Sequence, residues 1–199
     1  MIDMEKRQLP GTISLIRHGE SSCSPLKKAD ARQYAAWLDD YDRKGIQLPE
    51  EMASESREAL LQADVLISSD LKRAVESAAY LHPQANVQRD SRLREVRIPS
   101  PAFSFFGCRM GTNRWNVIMR LAWIAGYSGK EESFKQAKCR SQSIAQHLAA
   151  LASSGNVAVV GHGFFNRMIA KELRKNGWQP VGKHGDGNWA CSVYEWAIK

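Results

Sequence analysis

The chain has little cysteine and none of it clustered. Cys23, Cys108, Cys139 and Cys191 stand far apart, with no Cys-x-x-Cys pair among them. That spacing argues against a zinc site, and no metal is expected. With 199 residues the chain can bury a sizeable core without disulfide staples, so reduced thiols and a cytoplasmic location are the expectation. Long apolar runs are lacking too. No stretch approaches the ~20 residues that cross a bilayer, and Met1–Gln8 has no apolar signal-peptide core. No membrane partner is expected. Internal repeats, low-complexity tracts and domain linkers are also missing, so residues 1–199 read as a single domain.

Acidic residues are the scarcer charge, with Asp+Glu 21 against Lys+Arg 28 and a net charge of +7. The surplus suits anionic partners. No basic stripe with interleaved aromatics occurs, which counts against nucleic acid and leaves a small phosphorylated molecule as the expected partner.

What is present is a local pattern used three times. Thr12–Ile16 is a strand-like run ending at Arg17-His18-Gly19. Val65–Ile67 runs into Ser68-Ser69-Asp70 and a helix from about Leu71 to Leu81. Val157–Val160 runs into Gly161-His162-Gly163 and a helix over Phe164–Lys175. The unbroken apolar run at Val157–Val160 is what a strand covered on both faces needs. Strands alternating with helices predict a mostly parallel sheet in a three-layer α/β/α arrangement, with helices on both faces. Further helices are expected at Ala31–Tyr41, Glu55–Ala63 and Glu131–Ala152, and a closing strand at Ser192–Ile198. Residues 96–130 read as an irregular, aromatic-rich insertion. Pro99 and Pro101 interrupt it, and Phe103, Phe105, Phe106, Trp115, Trp123 and Tyr127 crowd into it. These aromatics are expected mainly as core filler. The competing readings are a lining for an apolar or ring-bearing leaving group, or a homodimer surface.

Sites in such sheets form beyond the carboxyl ends of the strands. All three units deliver polar residues there: Arg17 and His18, then Ser68–Arg73, then His162 and Gly163. Asp70 or Ser69 is the expected N-cap of the second unit's helix. Arg73 falls in its first turn, where a guanidinium can hold phosphate oxygens with paired hydrogen bonds.

Arg17-His18-Gly19-Glu20-Ser21, Ser68-Ser69-Asp70-Leu71-Lys72-Arg73-Ala74 and Gly161-His162-Gly163 together resemble the histidine phosphatase superfamily, also called phosphoglycerate-mutase-like. The resemblance runs from about Thr12 to Ile198 and implies that fold. It implies His18 as a nucleophile that forms a phosphohistidine and His162 as a hydrogen-bond donor to the transferring phosphoryl group. Arg17 and Arg73 would bind its other oxygens, with Gly163 allowing close approach. It also implies Glu95, in Leu93-Arg94-Glu95, as the acid that protonates the leaving oxygen. The pattern following Glu95 departs from the family, Val96-Arg97-Ile98-Pro99 standing there. The alternative for Glu95 is a surface glutamate paired with Arg94 or Arg97. Where many relatives have a phosphate-binding asparagine six residues after the nucleophile, this chain has Ser24, a candidate phosphate contact whose hydroxyl can still donate over a shorter reach. The implied activity is a phosphatase that needs no metal or other cofactor. The alternatives are a phosphoglycerate-type mutase and a phosphate-binding regulatory module with little turnover.

Overall fold

The computed structural model describes residues 10–49, 54–101, 107–182, 185 and 187–197. Among these, six strands form one sheet: β1 (Ile13–Arg17), β2 (Val65–Ser68), β3 (Gln88–Arg89), β4 (Val157–Gly161), β5 (Trp178–Val181) and β6 (Cys191–Trp196). Their order is β3-β2-β4-β1-β6-β5. The first four named in that order run parallel, and β6 and β5 close one edge antiparallel. The sheet is therefore mixed but mostly parallel, as the alternating pattern predicts.

Alternation along the central strands sorts the core onto two faces. Ile13, Leu15, Val157 and Val159 face α5 (Phe134–Ala152) and α6 (Gly163–Lys175), meeting Ile144, Leu148, Phe165 and Leu173. Ile16, Ala158 and Val160 face α2 (Ser54–Leu61) and α3 (Lys72–Leu81), meeting Leu60, Ala74 and Leu81. Each large apolar side chain so buried contributes about 2 kcal/mol. The three-layer arrangement thus follows from a two-residue period in the strands.

A third cluster is separate. Tyr34, Trp37 and Leu38 of α1 (Ala31–Arg43) pack on Trp115 and Met119 of α4 (Thr112–Ile124). This corrects the reading of residues 96–130 as irregular throughout. Its buried residues Thr112, Trp115, Met119 and Trp123 recur at helical spacing, and that period was legible beneath the prolines and aromatics. Trp115 and Trp123 are fully buried, their indole N–H groups donating to the carbonyls of Ala29 and Glu132. They are core filler. Phe103, Phe105 and Phe106 lie outside the described residues, as does Ile198.

Two capping boxes set helix starts. Asp30 with Gln33 opens α1, and Ser133 with Gln136 opens α5 at Phe134, a little later than the expected start at Glu131. Asp70 and Ser69 do not cap α3. Leu71 holds that place without a side-chain bond. Asp70 is instead bridged by the Arg94 guanidinium at 2.6 Å through both oxygens, and Ser69 turns to the site described below.

Candidate active site

Strand register brings the three motifs together. Arg17 of β1 lies beside Gly161 of β4, and Ser68 of β2 lies beside Val160. Because β4 sits between β1 and β2, the residues that follow each strand leave the sheet at one level. His18 and His162 consequently face each other, with ring centroids 5.0 Å apart.

His18 is 3% exposed. Its Nδ1 lies 2.6 Å from the carbonyl oxygen of Gly19. A carbonyl only accepts, so Nδ1 carries the proton and a neutral ring keeps its lone pair on Nε2. Burial, first, and the Arg73 and Arg17 guanidiniums hold the His18 pKa down to about 3, against the bond to Gly19, which raises it. Burial is the larger cause, ahead of both arginines. Gly19 itself is pinned: its N–H donates to Ser77 Oγ at 2.9 Å, and Ser77 donates to the Arg73 carbonyl. A side chain at Gly19 would run into the Trp189 ring, so the residue must be small.

His162 is fully buried and forms the N-cap position of α6. Its Nε2 lies 2.8 Å from Ser69 Oγ, and Nδ1 has no hydrogen-bond partner among the described residues. Burial, then Arg73, His18 and Arg17, push its pKa well down. Arg73 is 1% exposed in its side chain, and its Nη1 donates to the Tyr41 carbonyl at 3.1 Å and to Asp42 at 3.2 Å. Its guanidinium lies over the Tyr41 ring at 4.6 Å. The end of α1 thus orients the Arg73 guanidinium from more than thirty residues away in sequence, and no local pattern announces Tyr41 or Asp42.

A cavity of about 610 Å³ opens over these groups, between the sheet end and the α1–α4 cap. Arg17, His18, Arg73, Glu95 and Gly163 all line it. A Cβ on Gly163 would sit 3.1 Å from Arg17 Nε, so this glycine makes room for the arginine. Ser24 is not brought in. It is exposed, outside the cavity wall, and its carbonyl holds the Trp37 indole N–H at 2.9 Å. Cys23 does line the cavity, and burial, with Asp40, pushes its thiol pKa up. That disfavours the reactive thiolate.

Glu95 pairs with neither neighbouring arginine. Arg94 bridges Asp70, while Arg97 meets Asp39 and Glu131. The Glu95 carboxylate accepts the backbone N–H groups of Val96, Phe164 and Phe165 at 2.9, 3.1 and 3.0 Å. It therefore caps the N-terminal turn of α6, where a negative charge is favoured. Of the aromatics expected to line a binding surface, Trp115 and Trp123 do not; the aromatic rings in the wall are Trp37, Tyr41 and Phe164. No group of three or more His, Cys, Asp or Glu placed to hold a metal ion occurs among the described residues. No helix among them is long and apolar enough to cross a membrane.

The two buried histidines make stability depend on acid. Each has a folded-state pKa below its ordinary value, so unfolding takes up protons when the pH lies between the two. Stability should be flat above about pH 6.5 and fall as the pH drops from there towards about 3, the value held by His18. The slope approaches about 1.4 kcal/mol per pH unit for each histidine. Urea titrations across that range check it. A midpoint that stays level from pH 7 to 4 contradicts it.

A model of the family described as the histidine phosphatase superfamily, branch 1, matches residues 13–197. No curated protein matches the chain. Solved structures do. One, mycobacterial hydrolase 2, is 21% identical with a TM-score of 0.62, covering 96% of this chain and 85% of that one. A mycobacterial glucosyl-3-phosphoglycerate phosphatase is 20% identical with a TM-score of 0.54, covering 92% and 89%. A phosphoserine phosphatase variant from Entamoeba histolytica, bound to phosphoserine, is 15% identical with a TM-score of 0.57, covering 92% and 89%. At these identities the likeness is one of fold.

Proposed function

The chain belongs to the histidine phosphatase superfamily, and on that premise we propose that it hydrolyses a phosphate monoester through a phosphohistidine on His18, without a metal. The observation that carries this reading is the neutral, buried His18, its Nδ1 proton spent on Gly19 and its Nε2 lone pair left as the nucleophile beside two arginines.

Nε2 attacks phosphorus, the bond to the leaving oxygen breaks, and that oxygen takes a proton. Water then attacks phosphorus, the P–N bond breaks, and the water's proton returns to the acid. Arg17 and Arg73 stabilise charge on the equatorial oxygens throughout. His162 adds a donor from Nδ1, provided Ser69 donates its hydroxyl proton to Nε2 and so keeps the proton on the far nitrogen. The solved neighbours that are phosphatases by name support hydrolysis over transfer to a second hydroxyl.

Glu95 is the proposed proton carrier, since it lines the same cavity and its carboxylate is fixed against α6. Glu95→Gln should lower turnover of alkyl phosphates by roughly 10²–10⁴-fold, the usual range for a general acid. An aryl phosphate, whose leaving oxygen needs no proton, should suffer far less. Metal-free steady-state assays on both esters test it, with phosphoglycerate isomerisation followed alongside. Equal losses on both esters would make Glu95 a helix cap alone. Isomerisation outpacing hydrolysis would replace the phosphatase with a mutase.

A further inference from the structure

Trp189 occupies a backbone position that its residue type rarely takes. The turn Gly187–Ala190 is closed by the Ala190 N–H donating to the Gly187 carbonyl at 3.2 Å, and its third residue, Trp189, has φ 64°. That left-handed place suits glycine or asparagine. The asparagine of this turn, Asn188, stands one position earlier, and a bulky ring takes the strained place. No other non-glycine among the described residues has a positive φ. Such strain persists where the surroundings over-determine it, and it gathers at functional sites.

The contacts of Trp189 lead to the nucleophile. Its N–H donates to the His18 carbonyl at 3.4 Å. Its ring lies against Gly19, and the three atoms nearest to a Cβ built on Gly19 all belong to that ring. Its carbonyl accepts the hydroxyl of Ser56, a fully buried residue of α2. The ring also packs on Tyr80 of α3, with centroids 5.5 Å apart.

Both polar groups of the peptide that joins His18 to Gly19 are therefore engaged. Trp189 takes the carbonyl, and Ser77 takes the N–H at 2.9 Å. The next group along the chain is the Gly19 carbonyl, which lies 2.6 Å from His18 Nδ1 and accepts its proton. Trp189 does not line the cavity, whereas its neighbour Asn188 does. What Trp189 does for the reaction it does through His18 and Gly19.

We propose that Trp189 is a positioning residue for the nucleophile: tied back by Ser56, it locks the His18–Gly19 turn, so that the Gly19 carbonyl holds the His18 ring with Nδ1 protonated and Nε2 aimed into the cavity. This rests on the phosphohistidine reading above and adds to it a part that lies outside the three motifs.

Trp189→Gly removes the ring and accepts φ 64° without strain, so the turn itself survives. Trp189→Asn, also tolerant of that conformation, serves if the glycine variant does not fold. In protein made with isotopically labelled histidine, NMR at neutral pH reads the ring proton, His18 being assigned through His18→Ala. Wild type should show His18 protonated at Nδ1 alone. In the Trp189 variants the proton should be shared between Nδ1 and Nε2. Their kcat for an aryl phosphate should fall about tenfold to a hundredfold, the effect of a small misplacement at a reacting centre. Inhibition by inorganic phosphate should stay close to wild type, because Arg17 and Arg73 are untouched. An unfolded fraction would lower kcat and leave the folded molecules' proton on Nδ1, so the two readouts together separate positioning from support. Gly19→Ala meets the ring in wild type and should be severely impaired. Added to Trp189→Gly it should cost little more. A wild type without the single Nδ1-protonated ring, a Trp189 variant that keeps it, a kcat equal to wild type, or losses that multiply in the double variant overturns the role. If wild type hydrolyses no phosphate ester, the phosphatase reading fails, and the ring proton in the Trp189 variants decides the positioning role by itself.

Discussion

His18→Ala should lose turnover of an aryl phosphate by about 10⁴-fold or more, because covalent catalysis has no substitute once its nucleophile is gone. Arg17 and Arg73 still line the cavity, with His162 buried beside them, and on the proposed reading they should still hold phosphate. The loss should therefore fall on kcat, with inorganic phosphate still binding as a competitor. The same variant should resist acid better than wild type. His18 is neutral in the fold and held down to about pKa 3, so replacing it removes one of the protons taken up on unfolding below pH 6.5. Steady-state kinetics and urea midpoints at pH 7 and pH 4.5 read the two effects on one protein. Activity untouched by the change would remove His18 from the mechanism. A retained loss without the gain in acid stability would mean that the ring is not buried neutral.

Arg73→Met has the second largest expected effect, and it is double. The guanidinium is the proposed clamp on oxygens that gain charge in the transition state, so kcat/KM should fall by roughly 10²–10³-fold, as for loss of a pre-placed oxyanion donor. It is also buried, tied to the Tyr41 carbonyl, to Asp42 and to the Tyr41 ring. Removing one partner of such a pair costs about 3 kcal/mol, here at the low end because Asp42 retains Arg97 at 4.0 Å. Arg73 is further among the causes that depress both histidines, second to burial. Its loss should therefore move the acid limb of the pH–rate profile upward. A stability loss with an unmoved acid limb would reduce Arg73 to a structural tie between α3 and α1.

The parts of the site visible in the sequence are those built by strand ends. An apolar run followed by Arg17-His18-Gly19 or Gly161-His162-Gly163 states both the strand and what it delivers, and parallel register does the rest. Ser77 was also within reach, four residues after Arg73 and so on its face of α3. The groups that hold the clamp were not. Tyr41 and Asp42 reach Arg73 only because α1 folds across the sheet end, a contact without local signature. Ser69 was visible but misassigned, since a serine before a helix reads as a cap when its real partner lies 93 residues on. Glu95 shows the opposite case. Sequence placed it near the site, and the structure adds that its carboxylate holds the first turn of α6, the helix that begins after His162. In the cap helix α4 the core spacing of Thr112, Trp115, Met119 and Trp123 was legible, but nothing in it told that Asn116 and Arg120, between the tryptophans, would meet the cavity.

The covalent intermediate is the centre of the account. Wild type mixed with a reactive aryl phosphate, quenched in alkali within the first turnovers and digested for mass spectrometry, should yield a phosphorylated peptide. The phosphoryl group should sit on His18, survive base and be lost in acid. Sustained hydrolysis with no phosphopeptide, or with the phosphoryl group on any other residue, would contradict it.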